Sequence, residues 1–187
     1  MKRLLLLSVL ALGLGAPAFA PAQAQVNILE GPTLVKAVTS NDVSTVRMLM
    51  LKGENANQTD LNGRTVLQIA IGNSNAEMVK LLLDGNANPN RTDKAGNTAL
   101  HYAVESDDVN TMDTLLKKGV KVDQDNKEGV TPLMMAARNG RADLVDKLLK
   151  AGAKADRTDF TGRTALSWAQ DGRNARVVNM LRQAGAR

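Results

Sequence analysis

Cysteine is absent from this 187-residue sequence, and histidine and tryptophan occur once each. Without cysteine there is no disulfide, no thiolate nucleophile, no lipid-bearing cysteine and no sulfur ligand for a metal. A single histidine, His101, leaves any zinc site dependent on several converging carboxylates. Aromatic residues make up only 2% of the chain, so the core must be aliphatic, and there is no aromatic interleaving on which bases could stack. The formal net charge is +5, and without Lys2 and Arg3 it falls to +3, from 22 basic and 19 acidic side chains. The basic residues are spread along the chain, which argues against nucleic acid as a partner. No serine, threonine or lysine has a recognisable base partner, so neither an enzyme nor a cofactor is expected.

Long apolar runs are also scarce. The longest, from Leu4 to Leu14, follows Lys2-Arg3 and precedes small residues at Ala22 and Ala24. That order of charge, apolar stretch and small residues describes a secretory signal peptide over 1–24. Cleavage is expected after Ala24, because an earlier site at Ala18-Phe19-Ala20 would leave Pro21 first. The alternative, an uncleaved anchor, needs about 20 apolar residues to span a bilayer, more than this run supplies. An exported, cysteine-free chain with such a segment reads as a bacterial protein of the periplasm, although a fully secreted one would look the same.

What the sequence does contain is a period. Thr65, Thr98, Thr131 and Thr164 recur every 33 residues, each two places after Gly63, Gly96, Gly129 or Gly162. Leu67, Leu100, Leu133 and Leu166 follow in register, then Ala70, Ala103, Ala136 and Ala169. Leu49, Leu82, Leu115, Leu148 and Leu181 share a later slot, as do Gly53, Asn86, Gly119, Gly152 and Gly185. A fixed period of this length means stacked supersecondary units whose stability comes from the interfaces between copies. Within each unit, Asp or Asn opens a glycine turn, threonine caps a short first helix, and a bend such as Gly140 leads to a second. That second helix carries its apolar stripe at Leu144, Val145, Leu148 and Leu149 and ends in a left-handed residue. The ends should differ from the middle. Pro32-Thr33-Leu34 replaces Thr-x-Leu in the first copy, and Arg182 occupies the slot of Leu116 and Leu149 in the last.

Thr131-Pro132-Leu133-Met134-Met135-Ala136 and Thr98-Ala99-Leu100-His101-Tyr102-Ala103 resemble the Thr-Pro-Leu-His-x-Ala core of the ankyrin repeat. The resemblance implies an all-α solenoid of about five helix-turn-helix units with short β-turn or hairpin fingers. The organisation it suggests is a leader over 25–31 and a repeat domain over 32–187, with copies at 32–59, 60–92, 93–125, 126–158 and 159–187. It also implies that His101 bonds between units, and that Trp168 and Tyr102, in register with Ile69 and Met135, face the core. Asp123 to Gly129 has a calcium-loop look, but Lys127 takes the fifth position and Met134 stands where the bidentate glutamate belongs. Those acids are expected to shape an inter-repeat turn instead. Asn57-Gln58-Thr59 and Asn90-Arg91-Thr92 match a glycosylation pattern but occupy equivalent turn slots.

Ankyrin arrays bind proteins through turn tips and the exposed side of the first helices, which together line a concave surface. Carried over by slot, the expected partner-binding residues are Leu61, Asn62, Arg64, Lys94, Asn97, Lys127, Glu128, Val130, Arg138, Phe160 and Arg163. Leu61, Val130 and Phe160 are taken as apolar groups exposed at the tips. The resulting expectation is a monomeric, non-enzymatic scaffold without metal or cofactor, holding another exported protein as an inhibitor or immunity factor, or supporting a stress-defence enzyme. The rival is a binder of small ligands or wall glycans, or an enzyme with an unrecognised site, either of which requires a pocket of convergent polar groups.

Overall fold

The computed structural model of the chain describes residues 33–186, so the signal segment 1–24 and the leader 25–31 lie outside the described residues. Among the described residues ten helices form five pairs: α1 Leu34–Thr39 with α2 Val43–Leu51, α3 Val66–Gly72 with α4 Ala76–Asp84, and α5 Ala99–Glu105 with α6 Val109–Lys117. The last two pairs are α7 Pro132–Arg138 with α8 Ala142–Lys150, and α9 Ala165–Asp171 with α10 Ala175–Gln183. Between pairs run turns. The only strand-like pairings among the described residues are single bridges, Thr59 with Thr65 and Thr158 with Thr164.

The recurring threonines stand at the N-caps of the first helices. Thr65, Thr131 and Thr164 accept the amides of Gln68, Met134 and Ser167, each satisfying a donor the helix cannot. The first copy does the same one residue later, where Thr33 accepts from Lys36 and the helix is correspondingly a residue shorter. Pro132 follows its cap at the first helical position, where its missing N–H costs nothing. The second helices end at Gly53, Asn86, Gly119, Gly152 and Gly185, all at positive φ. The link inside each pair needs the same conformation. Asn41, Ser74, Asp107, Gly140 and Arg173 all lie at φ between 52° and 68°, and only one of the five is glycine.

First helices stack on first helices and second on second, α1 through α9 in one layer and α2 through α10 in the other. The recurring leucines and alanines fill the space between copies. Leu34, Leu67, Leu100, Leu133 and Leu166 are buried with Ala37, Ala70, Ala103, Ala136 and Ala169, and so are Leu49, Leu82, Leu115, Leu148 and Leu181. No pair encloses its own apolar groups, so cohesion comes from neighbours. Polar bonds run along the same axis. Asn57, Asn90 and Asp123 accept the backbone amides of Asn88, Lys121 and Lys154, each 31 residues on, at 2.8–3.0 Å. This is the work done by Asp123 of the calcium-like stretch, whose Asp125 pairs with Arg157 at 3.4 Å, and by the asparagines of the glycosylation-like triplets. Each junction between second helices also carries an ion pair: Arg47–Glu77, Asp84–Lys118, Asp113–Lys147 and Asp143–Arg176. Exposed pairs of this kind contribute about 0–1 kcal/mol each. Arg182 is exposed in the last copy, giving that end a polar outer face. No helix among the described residues is long and apolar enough to cross a membrane.

Candidate functional site

The turns project as fingers, and one kind of side chain builds all four. Asp60, Asp93, Asn126 and Asp159 each accept two tip amides through one side-chain oxygen, from Asn62 and Arg64, Ala95 and Asn97, Glu128 and Val130, and Thr161 and Arg163. Each finger is then tied to the one before it by a backbone bond: Lys94 N to Asn62 O at 3.3 Å, Lys127 N to Ala95 O at 2.9 Å and Phe160 N to Glu128 O at 3.1 Å. The tip glycines make this approach possible. A Cβ on Gly96 would meet the Lys127 amide at 2.7 Å, and one on Gly129 would meet the Phe160 amide at 2.7 Å.

Behind the fingers runs a groove with a repeating floor. Ile69, Tyr102, Met135 and Trp168 occupy one slot of successive first helices; Ile69 and Trp168 are buried, while Tyr102 and Met135 are partly open. The expectation that this slot faces the core holds: Ile69 and Trp168 belong to the buried core, and Tyr102 and Met135 pack against it. The slot also lies against the finger bases, where Tyr102 Oη donates to Asp93 Oδ2 at 2.9 Å and Trp168 Nε1 donates to Asp159 Oδ2 at 3.1 Å. The second oxygen of each of these two finger aspartates therefore fixes a floor residue. Burial, opposed only weakly, and the Asp93 carboxylate together raise the Tyr102 hydroxyl pKa. Burial would raise Asp159, but the Thr161 hydroxyl, the Arg163 and Thr161 amides and the Arg163 charge outweigh it and bring the pKa down to about 2. The same pattern around Arg64 lowers Asp60.

Trp168 is covered by cations. The Arg163 guanidinium stands 3.5 Å and that of Arg138 4.8 Å from the ring centroid, within the range of cation–π attraction. Next to it opens a cavity of about 270 Å³, lined by Asn97, Glu105, Asn126, Glu128, Val130, Met134, Met135, Arg138, Asn139 and Trp168. It spans three copies and brings apolar Val130, Met134 and Met135 together with the acids Glu105 and Glu128 and with Arg138.

His101 does what its slot implies. Nδ1 lies 3.1 Å from the Thr98 amide it accepts, so Nε2 carries the proton and donates to Val130 O at 3.0 Å, joining the third copy to the fourth. Burial lowers its pKa against the pull of that carbonyl. Gln68 serves the same purpose in the preceding copy, accepting from Thr65 N and donating to Arg91 O and Asn97 O. Among the described residues no three histidine, aspartate or glutamate side chains converge as metal ligands would.

The expected partner-binding residues separate into three groups. Leu61 and Phe160 are 93% and 75% exposed at the tips, alongside Asn62, Lys94, Lys127 and Glu128; Lys94 also donates to Leu61 O at 2.7 Å. Arg64 and Arg163 are bound by their finger aspartates at 2.8 and 3.3 Å, and they serve the fingers as much as any partner. Val130 is not the exposed tip residue expected: it is 8% exposed, since its slot is the inner leg of the finger, and its carbonyl accepts from His101. It comes together at the cavity with Asn97, Glu128 and Arg138, beside Met135, Glu105 and Trp168. Sequence reasoning missed Met135 and Trp168 as groove residues, although their 33-residue register with Tyr102 and Ile69 was visible. What the register hid is that the slot lies beside the finger base.

Two matches to a family model for ankyrin repeats in three copies cover residues 34–126 and 119–187, most of the chain. The chain belongs to the ankyrin-repeat family. No curated protein matches it. Ankyrin repeats are in general protein–protein interaction modules and are typically non-enzymatic. The ion-paired second helices form the other layer.

Proposed function

We propose that this chain is an exported, non-enzymatic adaptor of the bacterial periplasm that holds another exported protein in the groove. The observation that carries the reading is the 270 Å³ cavity, where Met135, Val130 and the edge of Trp168 meet Arg138, Glu105 and Glu128. Interfaces draw most of their energy from such anchors when aromatic and arginine groups surround them. The export step rests on the signal-like segment 1–24. The partner is either an enzyme the array restrains, as an immunity protein would, or a stress-defence enzyme it supports.

The test is affinity capture from envelope extract with three forms of the chain: unaltered, Met135→Lys in the groove, and Lys80→Glu on the exposed side of α4. Reversing Arg64 or Arg163 is a poor probe, because it sets an acid beside Asp60 or Asp159 and damages the finger. One stoichiometric protein held by the unaltered and Lys80→Glu forms and lost with Met135→Lys supports the reading. Equal capture by all three refutes it, and retention on cell-wall material without a protein supports the glycan-binding rival.

A further inference from the structure

The groove's dimensions and charges describe its occupant more closely than the family does. Resting on the groove reading above, we infer that the partner presents an α-helix laid across the first helices. Apolar residues seven apart would sit on Tyr102 and Met135, the partly open residues of the floor, with an acidic residue opposite Arg138, which covers Trp168, and a basic residue opposite Glu105.

The spacing comes first. Each floor residue belongs to a separate packed helix, and packed helices lie about 8–10 Å apart. A helix laid along the row returns a side chain to the same face every seven residues, a rise of about 10.5 Å. An extended strand returns one every second residue, at about 6.6 or 13 Å, and so falls out of step with the floor by the second contact.

The rim supplies the charges. Gly72, Glu105, Arg138 and Asp171 share the slot at the end of the first helices. Asp171 is engaged by Arg163 at 3.6 Å, whereas among the described residues neither Glu105 nor Arg138 makes an ion pair. Arg138 is held over Trp168, 4.8 Å from the ring centroid. Glu128 lines the same cavity from the finger side and adds to the demand for a cation there. The two rim groups have opposite signs and stand one copy apart, so a helix bearing a base and an acid seven residues apart satisfies both.

The probes are capped, alanine-based helical peptides of three heptads with a leucine at one position of each. One carries lysine and glutamate seven apart, a second lysine at both places, and a third glutamate at both. A fourth has the composition of the first rearranged to alternate as a strand. Trp168 is the only tryptophan in the chain, and its emission reports occupancy. The mixed-charge helix should bind about tenfold more tightly than either like-charged helix, and the strand pattern should bind weakest. In the Arg138→Glu variant the preference should pass to the double-lysine peptide. Equal affinity for the strand pattern, equal affinity for the like-charged helices, or no change in emission with any peptide at millimolar concentration overturns the proposal. If no peptide binds while Met135→Lys still abolishes partner capture, the groove reading stands and the helical occupant is wrong. If capture too is unaffected by Met135→Lys, both fail.

Discussion

Replacing the fingertip glycines one at a time by alanine separates backbone strain from contact between copies. Gly96 and Gly162 have nearly the same φ, 87° and 83°, so an alanine at either pays the same left-handed strain, about 1–2 kcal/mol, less a few tenths to 1 kcal/mol for the stiffer unfolded chain. Their surroundings differ. A Cβ at Gly162 meets nothing within 4 Å, since among the described residues no finger packs against it, whereas at Gly96 it meets Lys127 N at 2.7 Å and Asn126 Cα at 3.0 Å. Gly96→Ala must therefore displace the next finger and weaken the Lys127 to Ala95 bond. That bond is worth about 1 kcal/mol, and forced overpacking adds about 1–3 kcal/mol. Gly162→Ala should cost about 1 kcal/mol and Gly96→Ala about 2–4 kcal/mol. With a urea slope of about 2 kcal/mol per molar, the midpoints followed by circular dichroism should fall by about 0.5 M and 1–2 M. Gly63→Ala should lie between, since its nearest neighbour is the flexible Lys94 side chain at 3.1 Å. Equal losses at Gly96 and Gly162 would show that the fingers do not support one another.

His101→Gln should be nearly neutral at pH 7.5, because Gln68 makes the equivalent bonds, whereas His101→Leu strands the Thr98 amide and the Val130 carbonyl and should cost about 2–4 kcal/mol; urea midpoints check both. The folded-state pKa of His101 lies below its ordinary value of 6.5, so its contribution is complete above that value and is lost as pH falls through 6.5 toward the folded pKa. The loss between pH 7.5 and 5 should be smaller in His101→Gln. Ser74→Gly and Arg173→Gly relieve positive φ at 54° and 55° and should each raise stability by about 0.5 kcal/mol after the entropy of the freer unfolded chain is subtracted, read from the urea midpoint. Asp159→Asn keeps the two tip amide bonds, as Asn126 shows, but removes the acceptor of Trp168 Nε1; a shift in Trp168 emission with a loss of about 1–2 kcal/mol is expected. The carboxylate titrates near 2 when folded against 3.8, so it stabilises above pH 3.8 by about 1–2 kcal/mol after solvent screening, and this fades as pH falls toward 2.

The stacking was legible because it leaves a fixed-period signature: leucine, alanine, threonine and glycine must each return to the same place for one copy to fit the next. Gln68 and His101 show where that signature weakens. They share no chemistry by name, yet both accept from a cap amide and donate into the next finger. The slot of Asn41, Ser74, Asp107, Gly140 and Arg173 was legible only at Gly140, because neighbouring copies tolerate the left-handed conformation without glycine. Val130 was misplaced for a related reason: the slot of Arg64 and Arg163 carries long side chains whose ends emerge, and a short valine on the same backbone stays inside. The groove floor was hidden by a different ambiguity. An apolar residue on a first helix can serve the core alone or the groove as well, and only the position of the finger aspartates separates Trp168 and Tyr102 from Leu166 and Leu100.

The claim on which the rest depends is that a protein partner lies against the floor and rim of the groove. The most direct measurement places a photo-cross-linking residue at Arg138, and separately at Lys80 on the exposed side of α4, in cells that make the chain at its natural level. A single adduct of discrete mass from position 138, with none from position 80, is the expected result; adducts from position 80 alone, or the same adducts from both positions, would contradict it.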